Sequence, residues 1–167
     1  MGGSIGSDKI GGLAIGGDLV KGAAFGADLF FTSVPPFVQQ RMNKSGNQSF
    51  SYYGGSDILL TGWTSDATYP STIVSNVLIA QGAGTVTVSC SVNVSSNSSG
   101  TGASAYLRLN GVQIGSTMSW GILATGVKTA TWTGAVANGD EISVWVNKSG
   151  AGSSATVSAT NTWVNVQ

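Results

Sequence analysis

Residues 5–34 repeat with a period of ten: IGSDKIGGLA, IGGDLVKGAA and FGADLFFTSV stack without gaps. A fixed short period constrains the fold more than any single motif, because every unit must repeat one small piece of structure. An apolar residue opens each unit (Ile5, Ile15, Phe25) and a glycine follows (Gly6, Gly16, Gly26). An aspartate comes fourth (Asp8, Asp18, Asp28) and a second apolar residue sixth (Ile10, Val20, Phe30). Glycine reaches positive φ without steric cost, and an aspartate two residues later can accept backbone hydrogen bonds, so G-x-D reads as a tight turn between short strands. Units this short bury little by themselves. They predict a β stem completed by further copies of the chain, with Ile5, Ile10, Ile15, Val20, Phe25 and Phe30 turned toward a shared axis and three chains as the first expectation. Turn capping is the ordinary role for Asp8, Asp18 and Asp28. Calcium ligation is the alternative, although calcium-binding β-rolls use a nine-residue repeat richer in ligand-bearing turns.

Composition places the chain in the all-β class. Of 167 residues only 8% are charged and 41% apolar, with Gly, Ser, Thr, Asn and Val abundant, a set suited to short strands and turns. Seven acidic and seven basic residues cancel, so no basic field exists to gather nucleic acid. Histidine is absent and Cys90 is the single cysteine, which excludes an intrachain disulfide and a Cys/His zinc site. The opening MGGSIGSDKIGG lacks the basic start and apolar run of a secretory signal, and no stretch approaches the ~20 apolar residues of a membrane span. The expectation is a soluble protein made in a cytoplasm, without membrane insertion.

Pro35 and Pro36 interrupt the repeat, and the polar run that follows lacks strand alternation, so the expected organisation is a stem over 1–34, a linker over 35–48 and a head over 49–167. Within the linker, FVQQRM reads as a single helical turn. The head reads as strands. TVTVSCSVNV places Val86, Val88, Cys90, Val92 and Val94 on one face, with Cys90 as a core filler. AYLRLNGVQIG sends Ala105, Leu107 and Leu109 one way and returns through Val112 and Ile114 after Asn110-Gly111, the favoured two-residue hairpin turn. KTATWTGAV is a further strand. NGDEISVWVNK puts Ile142, Val144 and Val146 inward and Ser143, Trp145 and Asn147 outward. With SFSYY, DILLTGW, STIVSNVLIA and ATVSATNTWVNV, about eight strands fit, enough for a two-sheet jelly-roll sandwich.

The order of these features resembles a C1q/TNF-like jelly roll: Trp63, the strand from Gly84 to Val88, the hairpin from Ala105 to Gly111, the turn and strand from Gly139 to Val146, and Thr162 to Val166. The N-terminal repeat is similar to the stretches that open small minor tail or fibre proteins of tailed bacteriophages. Together these resemblances imply a homotrimeric virion component, made in the host cytoplasm, anchored to other phage proteins through its stem and presenting the head outward. The family's binding loops have no counterpart here, so no ligand or cofactor residue carries over.

Catalysis would need a base beside a nucleophile or two cooperating carboxylates. Asp8, Asp18 and Asp28 sit in repeat turns, Asp140 and Glu141 are neighbours that point apart, and only Asp57 with Asp66 remains as a pair; the expectation is no enzyme. Binding is the better prospect. Tyr52, Tyr53, Trp63, Tyr69, Trp120, Trp132, Trp145 and Trp163 are numerous for a head of this size, and exposed aromatics stack on sugars or anchor interfaces. Trp145, alternating against inward valines, and Trp120, in the MSWG loop, are the candidates for contact with a host cell-surface glycan. The competing function is a free-standing carbohydrate-binding or adhesion module.

Overall fold

The computed structural model describes residues 14–15, 18–19, 34–51, 55–150 and 153–167. The chain divides into two compact units, 1–34 and 35–167. In the first, β1 (Ala14–Ile15) pairs antiparallel with β2 (Asp18–Leu19), Ile15 opposite Asp18. The expected apolar positions Ile5, Ile10, Val20, Phe25 and Phe30, and Asp8 and Asp28, lie outside the described residues, as do the side chains of Ile15 and Asp18.

Among the described residues the second unit is a sandwich of thirteen strands, six in one antiparallel sheet and seven in the other. In chain order these are β3 (Gln40–Lys44), β4 (Gln48–Ser51), β5 (Ile58–Leu59), β6 (Trp63–Ser65), β7 (Thr72–Val74), β8 (Val77–Ile79) and β9 (Gly84–Asn97). Then follow β10 (Ala103–Leu109), β11 (Val112–Trp120), β12 (Gly126–Val136), β13 (Glu141–Lys148), β14 (Ser154–Val157) and β15 (Trp163–Val166). One sheet runs β11-β10-β13-β8-β7, with β5 also on β13; the other runs β4-β14-β9-β15-β3-β6, with β12 on the far side of β9. No helix occurs among the described residues.

Alternation dictates which side chains fill the space between the sheets. Val86, Val88, Cys90, Val92 and Val94 of β9 are all buried, facing Leu107, Ile142, Val144 and Val146 of the opposite sheet's strands. Burying each such side chain contributes roughly 1.5–3 kcal/mol, so β9 and β13 together supply much of the drive to fold. The hairpin expected at Asn110-Gly111 is present: Leu109 pairs with Val112, and the two turn residues adopt φ of 49° and 81°, as a type I′ turn demands.

Residues 35–48 are not a linker. Gln40–Lys44 forms β3 and lies between β15 and β6 in the seven-stranded sheet, with Met42 fully buried. The expected helical turn is absent because both neighbours offer β3 a ladder. Its polar inward residues hid the pattern: the Gln40 amide donates to the Ile79 carbonyl (3.2 Å) and accepts from the Gln81 N–H (3.0 Å). STIVSNVLIA, read as one strand, is the hairpin β7–β8, turning at Ser75 and Asn76 with φ of 49° and 67°. ATVSATNTWVNV likewise divides into β14 and β15 around Asn161, at φ 62°. These turns use Ser and Asn where glycine is the usual signal, which is why the count of strands came out low.

Candidate functional site

Because Ala105, Leu107 and Leu109 face inward, Tyr106 and Arg108 of β10 face out, beside Trp145 and Ser143 of β13 in register. The Arg108 guanidinium lies 4.5 Å from the Trp145 ring centroid and 5.4 Å from that of Tyr106. Its Nη2 donates to Asp57 Oδ2 at 2.6 Å, and Asn147 Nδ2 donates to Asp57 Oδ1 and to the Gly55 carbonyl, both at 3.0 Å. Trp145 Nε1 donates to Ser143 Oγ at 3.0 Å. Burial acts to raise the Asp57 pKa, but Tyr106, Asn147 and Arg108 together hold it below the usual carboxylate value. Burial and the adjacent carboxylate push Tyr106 up to about 12. This is a stacked, charge-neutral cluster.

Trp145 therefore sits on the outward face as expected, but half-buried, with one ring face covered by Arg108. Ser143, expected outward, does lie on that face but is buried beneath Trp145. Trp120 requires a larger correction. It ends β11 rather than occupying a loop, is 2% exposed, and donates from Nε1 to the Gly126 carbonyl at 2.9 Å. Alternation after Ile114 and Met118, both buried, carries it into the core, so it offers no ring to a sugar.

Sequence reasoning missed a polar hub at the same end of the sandwich. Lys148 is 1% exposed. Its Nζ donates to Asn97 Oδ1, to the Thr101 carbonyl (2.6 Å) and to the Ser98 carbonyl (3.3 Å). Asn97 Nδ2 in turn donates to the carbonyls of Gly121 (2.8 Å) and Ala124 (3.0 Å). One ammonium thus joins the end of β13 to the β9–β10 and β11–β12 loops. Burial lowers its pKa. The signal was available: Ile142, Val144 and Val146 form an inward column whose next member is Lys148.

Other candidates fall into separate structural roles. Asp57 and Asp66 do not act as a pair: Asp57 is held by Arg108 of β10, and Asp66 by Asn43 (2.8 Å) and Arg41 (3.7 Å) of β3, in the other sheet. Arg41 also lies 4.7 Å from the Trp163 ring centroid. Asp140 closes its turn by accepting from the Ala137 N–H at 2.8 Å. Trp63 is buried and donates to the Leu60 carbonyl, Trp132 is half-buried, and Tyr69 is exposed; Tyr52 and Tyr53 lie outside the described residues. Cys90 is fully buried, its thiol pushed up to about 12 by desolvation. Among the described residues no group of three His, Cys, Asp or Glu could hold a metal, and no helix is long and apolar enough to cross a membrane.

No family model matches this chain, and no curated protein matches it. Among solved structures, it is similar to the Eiger TNF of S. frugiperda, with a TM-score of 0.52 at 14% identity, over 79% of this chain and 92% of that one. Murine APRIL shows a weaker likeness, with a TM-score of 0.46 at 12% identity, over 78% of this chain and 97% of that one. With two antiparallel sheets arranged in this order, the head has a TNF-like jelly-roll fold.

Proposed function

We propose that this chain is a structural component of a tailed-bacteriophage virion, a minor tail, fibre or capsid-decoration protein. It is a homotrimer anchored by residues 1–34, with the head outward for contact with the host surface. The observation that carries this reading is the pairing of two unlike units: a TNF-like jelly roll follows a separate N-terminal unit built on a ten-residue Gly-Asp repeat. A repeat of that kind needs neighbouring copies to bury its apolar columns. The ordinary engagement of Asp57, Asp66 and Asp140 in ion pairs and turns supports a scaffold rather than a reaction centre. Covering of Trp145 by Arg108 and burial of Trp120 weigh against the alternative, a free-standing carbohydrate-binding module.

Gold-labelled antibody against the chain should decorate purified virions at one site, tail or capsid. Unlabelled virions would defeat the proposal. Light scattering should give three times the chain mass for the full protein, and deletion of residues 1–34 should weaken that assembly.

A further inference from the structure

Each outer face of the head carries an arginine stacked on a tryptophan, and the two stacks differ in one respect. Arg108, over Trp145, is closed by a carboxylate: its Nη2 donates to Asp57 at 2.6 Å. Arg41, 4.7 Å from the Trp163 ring centroid, is not. Its Nε donates to Asn43 Oδ1 at 3.1 Å, and the nearest carboxylate oxygen, Asp66 Oδ2, stands at 3.7 Å, beyond hydrogen-bond reach. Asp66 is engaged elsewhere. It accepts from Asn43 Nδ2 (2.8 Å) and from the N–H groups of Thr68 (2.8 Å) and Tyr69 (3.1 Å), and Asn43 does most, and Arg41 least, to hold its pKa down. Among the described residues, therefore, neither Nη of Arg41 has an acceptor, although the side chain is 31% exposed.

A guanidinium held on an indole with its Nη pair open is preorganised for a planar, singly charged carboxylate, which its fork meets with two parallel bonds. The Asp66 carboxylate close by disfavours a more highly charged anion such as a phosphate dianion, which would gain one cation and face a like charge. The surroundings specify what carries the carboxylate. β3 lies between β15 and β6, and the Arg41 N–H and C=O are bound to the Tyr69 carbonyl (2.9 Å) and the Asp66 N–H (3.0 Å), so no free backbone remains there to pair with a peptide strand. What the face offers is uncharged side chains. Thr131, Ser89, Asn165 and Arg41 form one row across four strands. Beside it Gln39 Nε2 reaches Asn165 Oδ1 and Gln167 Oε1 at 3.3 and 3.5 Å, and Asn165 Nδ2 reaches Gln167 Oε1 at 3.3 Å. Bonds of that length are weak, and amides so loosely joined keep donors and acceptors for a ligand rich in hydroxyls. A carboxylate set among hydroxyls is the chemistry of a uronic acid.

We infer that Arg41, with the amides of Gln39, Asn165 and Gln167, forms a binding site for a polysaccharide that bears uronic acids, Arg41 taking the carboxylate and the amides the hydroxyls. The inference rests on the reading of the head as the part that meets the host surface, and it gives that contact its chemistry. The test uses the full chain and immobilised polygalacturonate at low salt. Wild type should bind the polymer and should not bind its methyl ester, in which the same sugars carry no charge. Arg41→Gln should weaken binding about tenfold, and Arg41→Lys nearly as much, because an ammonium lacks the fork. Asp66→Asn should strengthen binding about threefold by removing the adjacent like charge. Lys128→Gln, which removes an exposed charge from the other column of β12, opposite Val92, should bind like wild type. Thermal unfolding reports whether each variant is folded, and the ester comparison and Asp66→Asn leave Arg41 in place. Absence of binding, or equal binding by wild type and folded Arg41→Gln, would overturn the site even where antibody labels the virion. Equal binding to polyglutamate would show a carboxylate site without sugar recognition and overturn the assignment. Arg41-dependent binding by a chain that is absent from virions would support the site and defeat the virion reading alone.

Discussion

The ammonium of Lys148 is held by the side-chain carbonyl of Asn97, and among the described residues neither has a carboxylate partner. A buried ammonium surrounded by carbonyl oxygens matches donor to acceptor three times, which offsets part of its desolvation. Lys148→Met removes the desolvated charge but leaves three acceptors without their donor. Each unsatisfied buried acceptor costs about 1–3 kcal/mol, so the second effect wins where solvent cannot reach. The expected outcome is a loss of roughly 2–4 kcal/mol in urea unfolding, with faster proteolysis of the 98–102 and 121–125 loops.

Stability at alkaline pH should reflect two opposed contributions. Lys44 and Lys148 have folded pKa values lowered by burial below 10.5. The unfolded chain therefore binds more protons in the window below 10.5, and stability rises with pH there. Cys90 and Tyr106 are the reverse, each raised to about 12 from 9.0 and 10.0. Their contribution is present below the unfolded values and is lost as pH rises, from about 9 for the thiol and 10 for the phenol, at up to about 1.4 kcal/mol per pH unit per group. Urea titrations between pH 8 and 11 check this: Cys90→Ala should flatten the decline that begins near pH 9, and Lys148→Met should remove part of the opposing rise.

Arg108→Lys should not be a conservative change. The planar guanidinium covers Trp145, touches Tyr106 and pairs with Asp57 at once, whereas an ammonium is a point charge that cannot stack in the same way. A loss of about 1–2 kcal/mol is expected, together with a red shift of tryptophan emission as Trp145 becomes wetter. If emission and stability both match wild type, the stack is not holding the outer face together.

Leu123→Gly should stabilise the fold. Relief of the left-handed strain at φ 60° gains roughly 1 kcal/mol, reduced by the greater freedom of glycine in the unfolded chain. Thermal unfolding should move upward by a few degrees; an unchanged or lower midpoint would show that the turn holds Leu123 without strain.

The period-two valines of β9 and β13 and the Asn110-Gly111 turn were legible in the sequence because burial and turn geometry act there on adjacent residues. β3 was not, since Gln40 and Lys44 point inward and are satisfied by Ile79, Gln81 and Thr61, partners distant in sequence. Nor was the hairpin at Ser75-Asn76, where Asn76 steadies its neighbourhood by accepting from the Gly62 N–H at 2.9 Å. Trp120 and Trp145 were placed by local pattern alone. What covers Trp145, an arginine on another strand, and what encloses Trp120, the start of β12, are facts of tertiary register.

The position of β15 also bears on how the head can be made. Its four residues lie between β3 and β9, so a central strand of the sheet is among the last parts of this sequence to be synthesised. Gln39, beside the first strand of the head, hydrogen-bonds Asn165 across a separation of 126 residues. Until Trp163–Val166 emerges, β3 and β9 each present a bare edge, the kind of surface on which nascent chains aggregate. Completion of the sheet therefore waits for Trp163–Val166, and a chain stopped before them would lack the strand that joins β3 to β9.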